Sequence, residues 1–170
     1  NSNKTSLNHW FRFFKRLITI IVIIFIYNNK LLAESKNLLL ISHLYPIIND
    51  EKKLIKLFDK INSEKVDAVF ILGDSSINKE ETFLKFKNKI KHKLYFAPGN
   101  EEIKNKEKYL GNVGYLDKVI DFENFKILII NSSANVKNIG DFLTSELQKN
   151  KKRSNFIFTH FRIWDDALIS

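Results

Sequence analysis

The chain has no cysteine. Disulfides and thiolate metal sites are therefore excluded. Methionine is absent too, even at position 1, so the sequence is expected to begin downstream of its natural start. No G-x-G-x-x-G follows an apolar run; "GNVG" at 111–114 is too short to be one. No G-x-x-x-x-G-K-[ST] and no G-x-S-x-G occur either. These absences argue against a dinucleotide fingerprint, a phosphate loop and a serine-hydrolase elbow. There is no internal repeat, and the low-complexity character is limited to a lysine and asparagine bias.

What is present reads as one globular domain. At 170 residues, 44% hydrophobic and 28% charged, the composition supports a packed core and does not fit disorder. The formal charge is +9, but the lysines are scattered along amphipathic segments instead of clustering with stacking aromatics. A solvated basic face follows, and no nucleic-acid binding is expected.

The first 35 residues read as an address. Arg12, Lys15 and Arg16 precede an uninterrupted apolar run from Leu17 to Tyr27, with a small residue at Ala33. A basic start, a short apolar stretch and a small residue describe a secretory signal. The run is short for a span, which needs ~20 residues. Trp10, Phe11, Phe13 and Phe14 lengthen the lipid-compatible stretch, however, and Leu31 is not small. A signal peptide and an uncleaved signal anchor therefore both remain, ahead of a buried core helix, because charge asymmetry and position agree. In either case the domain from residue 36 is expected to be exported, or anchored at the membrane outside the cytoplasm.

From Asn37 strands alternate with helices. Apolar runs predict strands at 37–42, 66–72, 93–97 and 155–160, and a strand pair joined near Glu123 and Asn124. Helical periodicity predicts helices at 50–62, 79–91, 101–110 and 144–153. The inward faces are expected to carry Leu54, Ile55, Leu57, Phe58 and Ile61 in the first, and Phe83, Leu84, Phe86 and Ile90 in the second. Glu101 and Glu102 suit a helix start, where the peptide dipole is positive. This order is that of an α/β domain with a mostly parallel sheet.

Open α/β sheets put their sites beyond the carboxyl ends of the strands. There the sequence places Ser42 and His43, Gly73 and Asp74, Gly99 and Asn100, Asn131 and Ser132, and His160. Singly each is bland: a Gly-Asp pair is often a turn or a cap, and a strand-end histidine is often a satisfied core residue. Jointly, a carboxylate, an amide and an imidazole are the mixed ligands of a divalent metal. His9 and His92 lie in polar, basic surroundings and read as solvated or structural. Asp165 and Asp166 read as helix caps.

Gly73-Asp74 in "ILGD", Gly99-Asn100 in "APGN" and His160 in "FTH", in that order at strand ends, resemble the calcineurin-like metallophosphoesterases. The resemblance runs from about Asn37 to Ser170. It implies an αββα sandwich (partial here) following the N-terminal hydrophobic helix, and hydrolysis of a phosphoester substrate at two metals of the Mn, Fe or Zn type. By this resemblance Asp74 bridges both metals, while Asn100 and His160 bind the second. Two such cations activate a bridging hydroxide and clamp the phosphoryl oxygens.

The sequence also departs from the family pattern. The family's first strand ends in Asp-x-His; here His43 and Tyr45 stand at those positions. His43 keeps a neutral imidazole for the first metal, but a negative charge is gone. The histidine that follows the family's Gly-Asn is Glu101 here, which can act as a general acid only if its pKa is raised. The family's closing Gly-His-x-His does not occur before Ser170. Two expectations follow. One is an exported metallophosphoesterase with an altered site of one or two metals. The other is a silent member, without metal, serving as a binding or scaffold module at the membrane.

Overall fold

The computed structural model describes residues 35–149 and 153–161, with Ile18 alone upstream. The expected signal or anchor, His9, Asp165 and Asp166 lie outside the described residues. Among the described residues no helix is long and apolar enough to cross a membrane.

The first sheet holds β1 (Leu38–Ser42), β2 (Ala68–Leu72) and β3 (Lys93–Ala97), all parallel and in that order. Between them run α1 (Tyr45–Ile48), α2 (Glu51–Ser63) and α3 (Glu80–Lys89). Beyond β3 come α4 (Asn100–Ile103) and α5 (Lys106–Val113). The second sheet holds β4 (Lys118–Asp121), β5 (Phe125–Ile130) and β6 (Ser154–Thr159), with β4 antiparallel and β6 parallel to β5. The helix α6 (Val136–Lys149) connects β5 to β6.

Alternation along the strands sets the layers, because successive side chains point to opposite faces. On β2, Val69 and Ile71 face a helical layer with Leu54, Phe58, Ile61, Phe86 and Tyr109. Ala68 and Phe70 face the second sheet, where Ile120, Ile127, Ile129 and Phe158 meet them. The Phe70 ring lies 5.0 Å from Tyr95 in a stack and 4.8 Å from Phe158 edge-on. Outside the second sheet, Ile139, Phe142 and Leu143 of α6 cover Leu128 and Ile130. The result is helix, sheet, sheet, helix. Each fully buried Phe or Ile contributes roughly 1.5–3 kcal/mol by leaving water.

Register is what builds a site. Ser42 pairs with Leu72 and Leu72 with Ala97, so the carboxyl ends of all three parallel strands are level. Thr159 likewise pairs with Ile130. The turns that follow therefore leave from common rims.

Several expectations need correction. Ile55 and Leu84 are 50% and 41% exposed, at the margins of their apolar faces, where neighbouring helices do not reach. The helix expected over 101–110 is two, with a break at Lys104 and Asn105. The last helix starts at Val136, eight positions before the expected 144; exposed Gly140 and the polar stretch around it hid its first turns. Short α1, opened by Pro46, was not expected from the sequence.

Candidate metal centre at the strand ends

Among the described residues three non-glycine positions adopt left-handed backbone: His43 at φ 56°, Asp74 at 51° and Ser76 at 56°. All three sit in the turns after β1 and β2. Such conformations cost about 1–3 kcal/mol each and gather where surrounding structure fixes a functional geometry. Here the surroundings are backbone bonds. The His43 N–H donates to the Gly73 carbonyl at 3.3 Å, and the Tyr45 N–H to the Asp74 carbonyl at 2.9 Å.

Two glycines let the turns close. Gly73 itself has φ 74°, and a Cβ there would lie 2.4 Å from His160 Nδ1. A Cβ at Gly99 would lie 2.6 Å from both the amide N and Oδ1 of Asp74. The imidazole of His160 and the carboxylate of Asp74 are thus pressed against bare backbone.

That packing brings the two together. His160 Nε2 lies 3.3 Å from Asp74 Oδ2, and both side chains are about 90% buried. The opposite ring nitrogen, Nδ1, lies 2.9 Å from the Leu72 carbonyl. A carbonyl only accepts, so Nδ1 carries the hydrogen in that bond. Nε2, the other ring nitrogen, then faces a carboxylate oxygen. A nitrogen and a carboxylate oxygen at that distance share a proton or a cation. Metal-ligating imidazoles are usually oriented in this way, by a backbone carbonyl or carboxylate on the ring nitrogen that does not bind the metal.

The other candidates stand around this pair. His43 Nδ1 is 3.6 Å from the same Oδ2, but its side chain is 66% exposed, so it closes the rim without burying it. Asn100 opens α4, and its Nδ2 donates to Glu101 Oε1 at 3.3 Å. The amide oxygen, the atom a cation would take, is not the one used in that bond. Glu101 donates its N–H to Asp74 Oδ1 at 3.4 Å, while its own Oε1 accepts from Lys104 Nζ at 2.6 Å. This bond and the charge of Glu101 raise the pKa of Lys104. Tyr45 is 54% exposed at the start of α1.

Not every strand-end group joins the site. Asn131 accepts from the Ser133 N–H at 3.1 Å within its own loop, while Ser132 Oγ accepts from the Phe161 N–H at 2.9 Å and ties the turn after β5 to the one after β6. His92 Nε2 lies 3.1 Å from the Ile61 carbonyl and links β3 to the end of α2, as a structural histidine does.

Glu102 is the residue that sequence reasoning undervalued. It is fully buried, and among the described residues its bonds are to backbone N–H groups and the Ser75 hydroxyl. Its Oε2 accepts from the N–H groups of Asp74 and Gly99, each at 2.9 Å, and its Oε1 from the Ser75 N–H at 2.8 Å. The available signal was its place as third residue of a short helix, where a glutamate can return to the backbone N–H ahead of the helix.

Asp74 and His160 thus bring a carboxylate and an imidazole together, and Asn100 adds an amide at the start of α4, the residue types that a divalent cation of borderline character takes. They do not furnish two metals. Among the described residues no three His, Asp or Glu side chains close into a cation cage. A carboxylate is missing at position 43, and the Glu101 carboxylate is engaged by Lys104.

Residues 47–167 match the calcineurin-like phosphoesterase family. Among solved structures, Vps29 of Chaetomium thermophilum is similar at 17% identity and a TM-score of 0.38, over 69% of this chain. The match spans 55% of that protein, about half its length. No curated protein matches the chain.

Proposed function

Since the chain belongs to the calcineurin-like phosphoesterase family, we propose that its domain is a hydrolytically weakened member that holds one divalent cation and recognises a phosphoester through it. The observation that carries this reading is the buried pairing of a carboxylate with an imidazole, Asp74 Oδ2 and His160 Nε2, 3.3 Å apart. Asp74, Asn100 and His160 would hold an ion of the Mn, Fe or Zn type, with His43 at the rim. When bound, the ion supplies positive charge for phosphoryl oxygens.

The reasons for weak turnover lie in the chain's own residues. Tyr45 offers an exposed phenol where the family has an imidazole. Glu101, where the family has a histidine, accepts from the Lys104 ammonium and is given no proton-transfer role. Nucleotide, phospholipid, phosphoprotein and sugar phosphate all present the group such a site binds. The basic and apolar segment ahead of residue 36 supports a position outside the cytoplasm, released or anchored.

Titration calorimetry of the full chain with Mn²⁺ or Zn²⁺ tests the site. We expect weak binding that Asp74→Ala abolishes; equal binding by that variant refutes the ligand assignment. A second reading, the same fold as an ion-free scaffold, is favoured by the lack of a three-residue cage among the described residues. Absence of Mn²⁺ and Zn²⁺ binding by the unaltered chain would establish it over the first. For placement, residues 1–40 fused to a reporter active only outside the cytoplasm should give signal, and a silent reporter rejects export.

A further inference from the structure

We propose that Glu102 is a positioning residue: a buried carboxylate that locks the turns after β2 and β3 together and so sets Asp74 against His160. The inference rests on the proposed cation site for its purpose, though not for its geometry. One oxygen, Oε2, accepts from Asp74 N and Gly99 N at 2.9 Å each, and so bridges two turns that are 25 positions apart in sequence. The other, Oε1, accepts from Ser75 N at 2.8 Å and lies 3.4 Å from Ser75 Oγ.

The chemistry demands a carboxylate. Every partner is a donor, so both oxygens must be acceptors, and an amide would turn an NH₂ against N–H groups. Asp74 and Ser76 adopt left-handed backbone within this segment. Bonds to a charged acceptor are about twice as strong as neutral ones, which suits a group that must hold strained backbone. Ser75 is itself fully buried, as is Glu102, and a Cβ built at Gly99 would lie 2.9 Å from Glu102 Oε2. Among the described residues Glu102 makes no hydrogen bond to His160 or to a side-chain atom proposed to bind the cation. Its effect passes through the Asp74 backbone.

The test compares the full chain with Glu102→Gln and Glu102→Asp in two measurements. The first is amide hydrogen exchange at Asp74, Ser75 and Gly99 without added metal. The second is Mn²⁺ affinity. In Glu102→Gln we expect exchange at those three amides to quicken at least about tenfold, the loss of one strong hydrogen bond. Amides of β5 should stay protected, and Mn²⁺ affinity should fall roughly 10- to 100-fold, as when a group that orients a metal ligand is removed. Glu102→Asp keeps two acceptor oxygens and should recover part of both. Unchanged exchange in Glu102→Gln overturns the clamp. Faster exchange with undiminished Mn²⁺ affinity overturns its positioning role. If the unaltered chain binds no Mn²⁺ while the amides respond as expected, the cation reading fails and the clamp stands on exchange alone. Should Glu102→Gln not fold, Glu102→Asp decides by the same two measurements.

Discussion

Replacing Gly99 by alanine isolates the packing that shapes the site. The backbone there has φ −97°, which any residue adopts, so alanine introduces no conformational strain. The whole effect is steric. The new Cβ would stand 2.6 Å from Asp74 N and Oδ1 and 2.9 Å from Glu102 Oε2. None of these atoms moves easily. Asp74 N is bonded to Glu102 and the Asp74 carbonyl to the Tyr45 N–H, each at 2.9 Å. Overpacking of a fixed site costs about 1–3 kcal/mol, and this one belongs at the upper end, about 2–3 kcal/mol. For a chain of this size each kcal/mol lowers Tm by roughly 2–4 °C, so a fall of about 4–12 °C is expected. Urea unfolding should show a lower midpoint at an unchanged slope, the mark of altered stability rather than an altered unfolded state. Gly140 makes the control. It is exposed within α6, a Cβ there meets nothing within 4 Å, and alanine should stabilise by roughly 0.5–1 kcal/mol. If Gly99→Ala melts within a degree of the unaltered chain, the close approach of the two turns is wrong, and the geometry at Asp74 with it.

Alkaline pH should destabilise the domain. Burial pushes the Tyr115 hydroxyl from 10 up to about 12 and that of Tyr109 further. A raised folded pKa means a contribution intact below pH 10 and lost as pH rises toward 12. Tyr115 alone then accounts for about 3 kcal/mol, two units at 1.36 kcal/mol each; Tyr115→Phe should flatten denaturant midpoints measured from pH 9 to 11, and an unflattened profile refutes the assignment. Phe70→Ala, at the contact of both sheets, should cost about 3–5 kcal/mol in urea unfolding, and a loss under 1 kcal/mol would mean the sheets do not pack there. The triple change His43→Asp, Tyr45→His and Glu101→His should raise hydrolysis of a generic aryl phosphodiester in the full chain; no gain would place the deficit elsewhere.

Much of this architecture could be read from the chain, for identifiable reasons. The strand at 93–97 was expected at its observed bounds because an apolar run sits between a lysine-rich link and Pro98-Gly99. Asp50 marked the start of α2, and its side chain accepts from Lys53 N at 3.1 Å. Of the site, the meeting of Asp74 with His160 followed from level strand ends. The division into two sheets followed from the family resemblance alone, since local periodicity carries no information on which strand pairs with which. The burial of Glu102 did not follow. An acid at a helix start is usually solvated, and only the return of the Asp74 turn over it, a tertiary event, makes it interior.

Charge gives the strongest reason to expect one ion and not two. Two dications about 4 Å apart repel by roughly 16 kcal/mol at an effective dielectric of 20, four times a unit pair. Carboxylates among the ligands must offset that repulsion. Around the proposed centre the side-chain donors are Asp74, Asn100, His160 and His43, with one negative charge among them. The Glu101 carboxylate is held by Lys104 and that of Glu102 by three backbone N–H groups, so neither offers an oxygen to a metal. A single dication with one carboxylate leaves a net positive centre, and that residual charge attracts a phosphoryl group. Loss of the acid at position 43 thus works against the second metal while favouring retention of an anionic ligand. His43→Asp by itself should therefore tighten Mn²⁺ binding and loosen inorganic phosphate at saturating Mn²⁺. A change of the same sign in both affinities would contradict this electrostatic account.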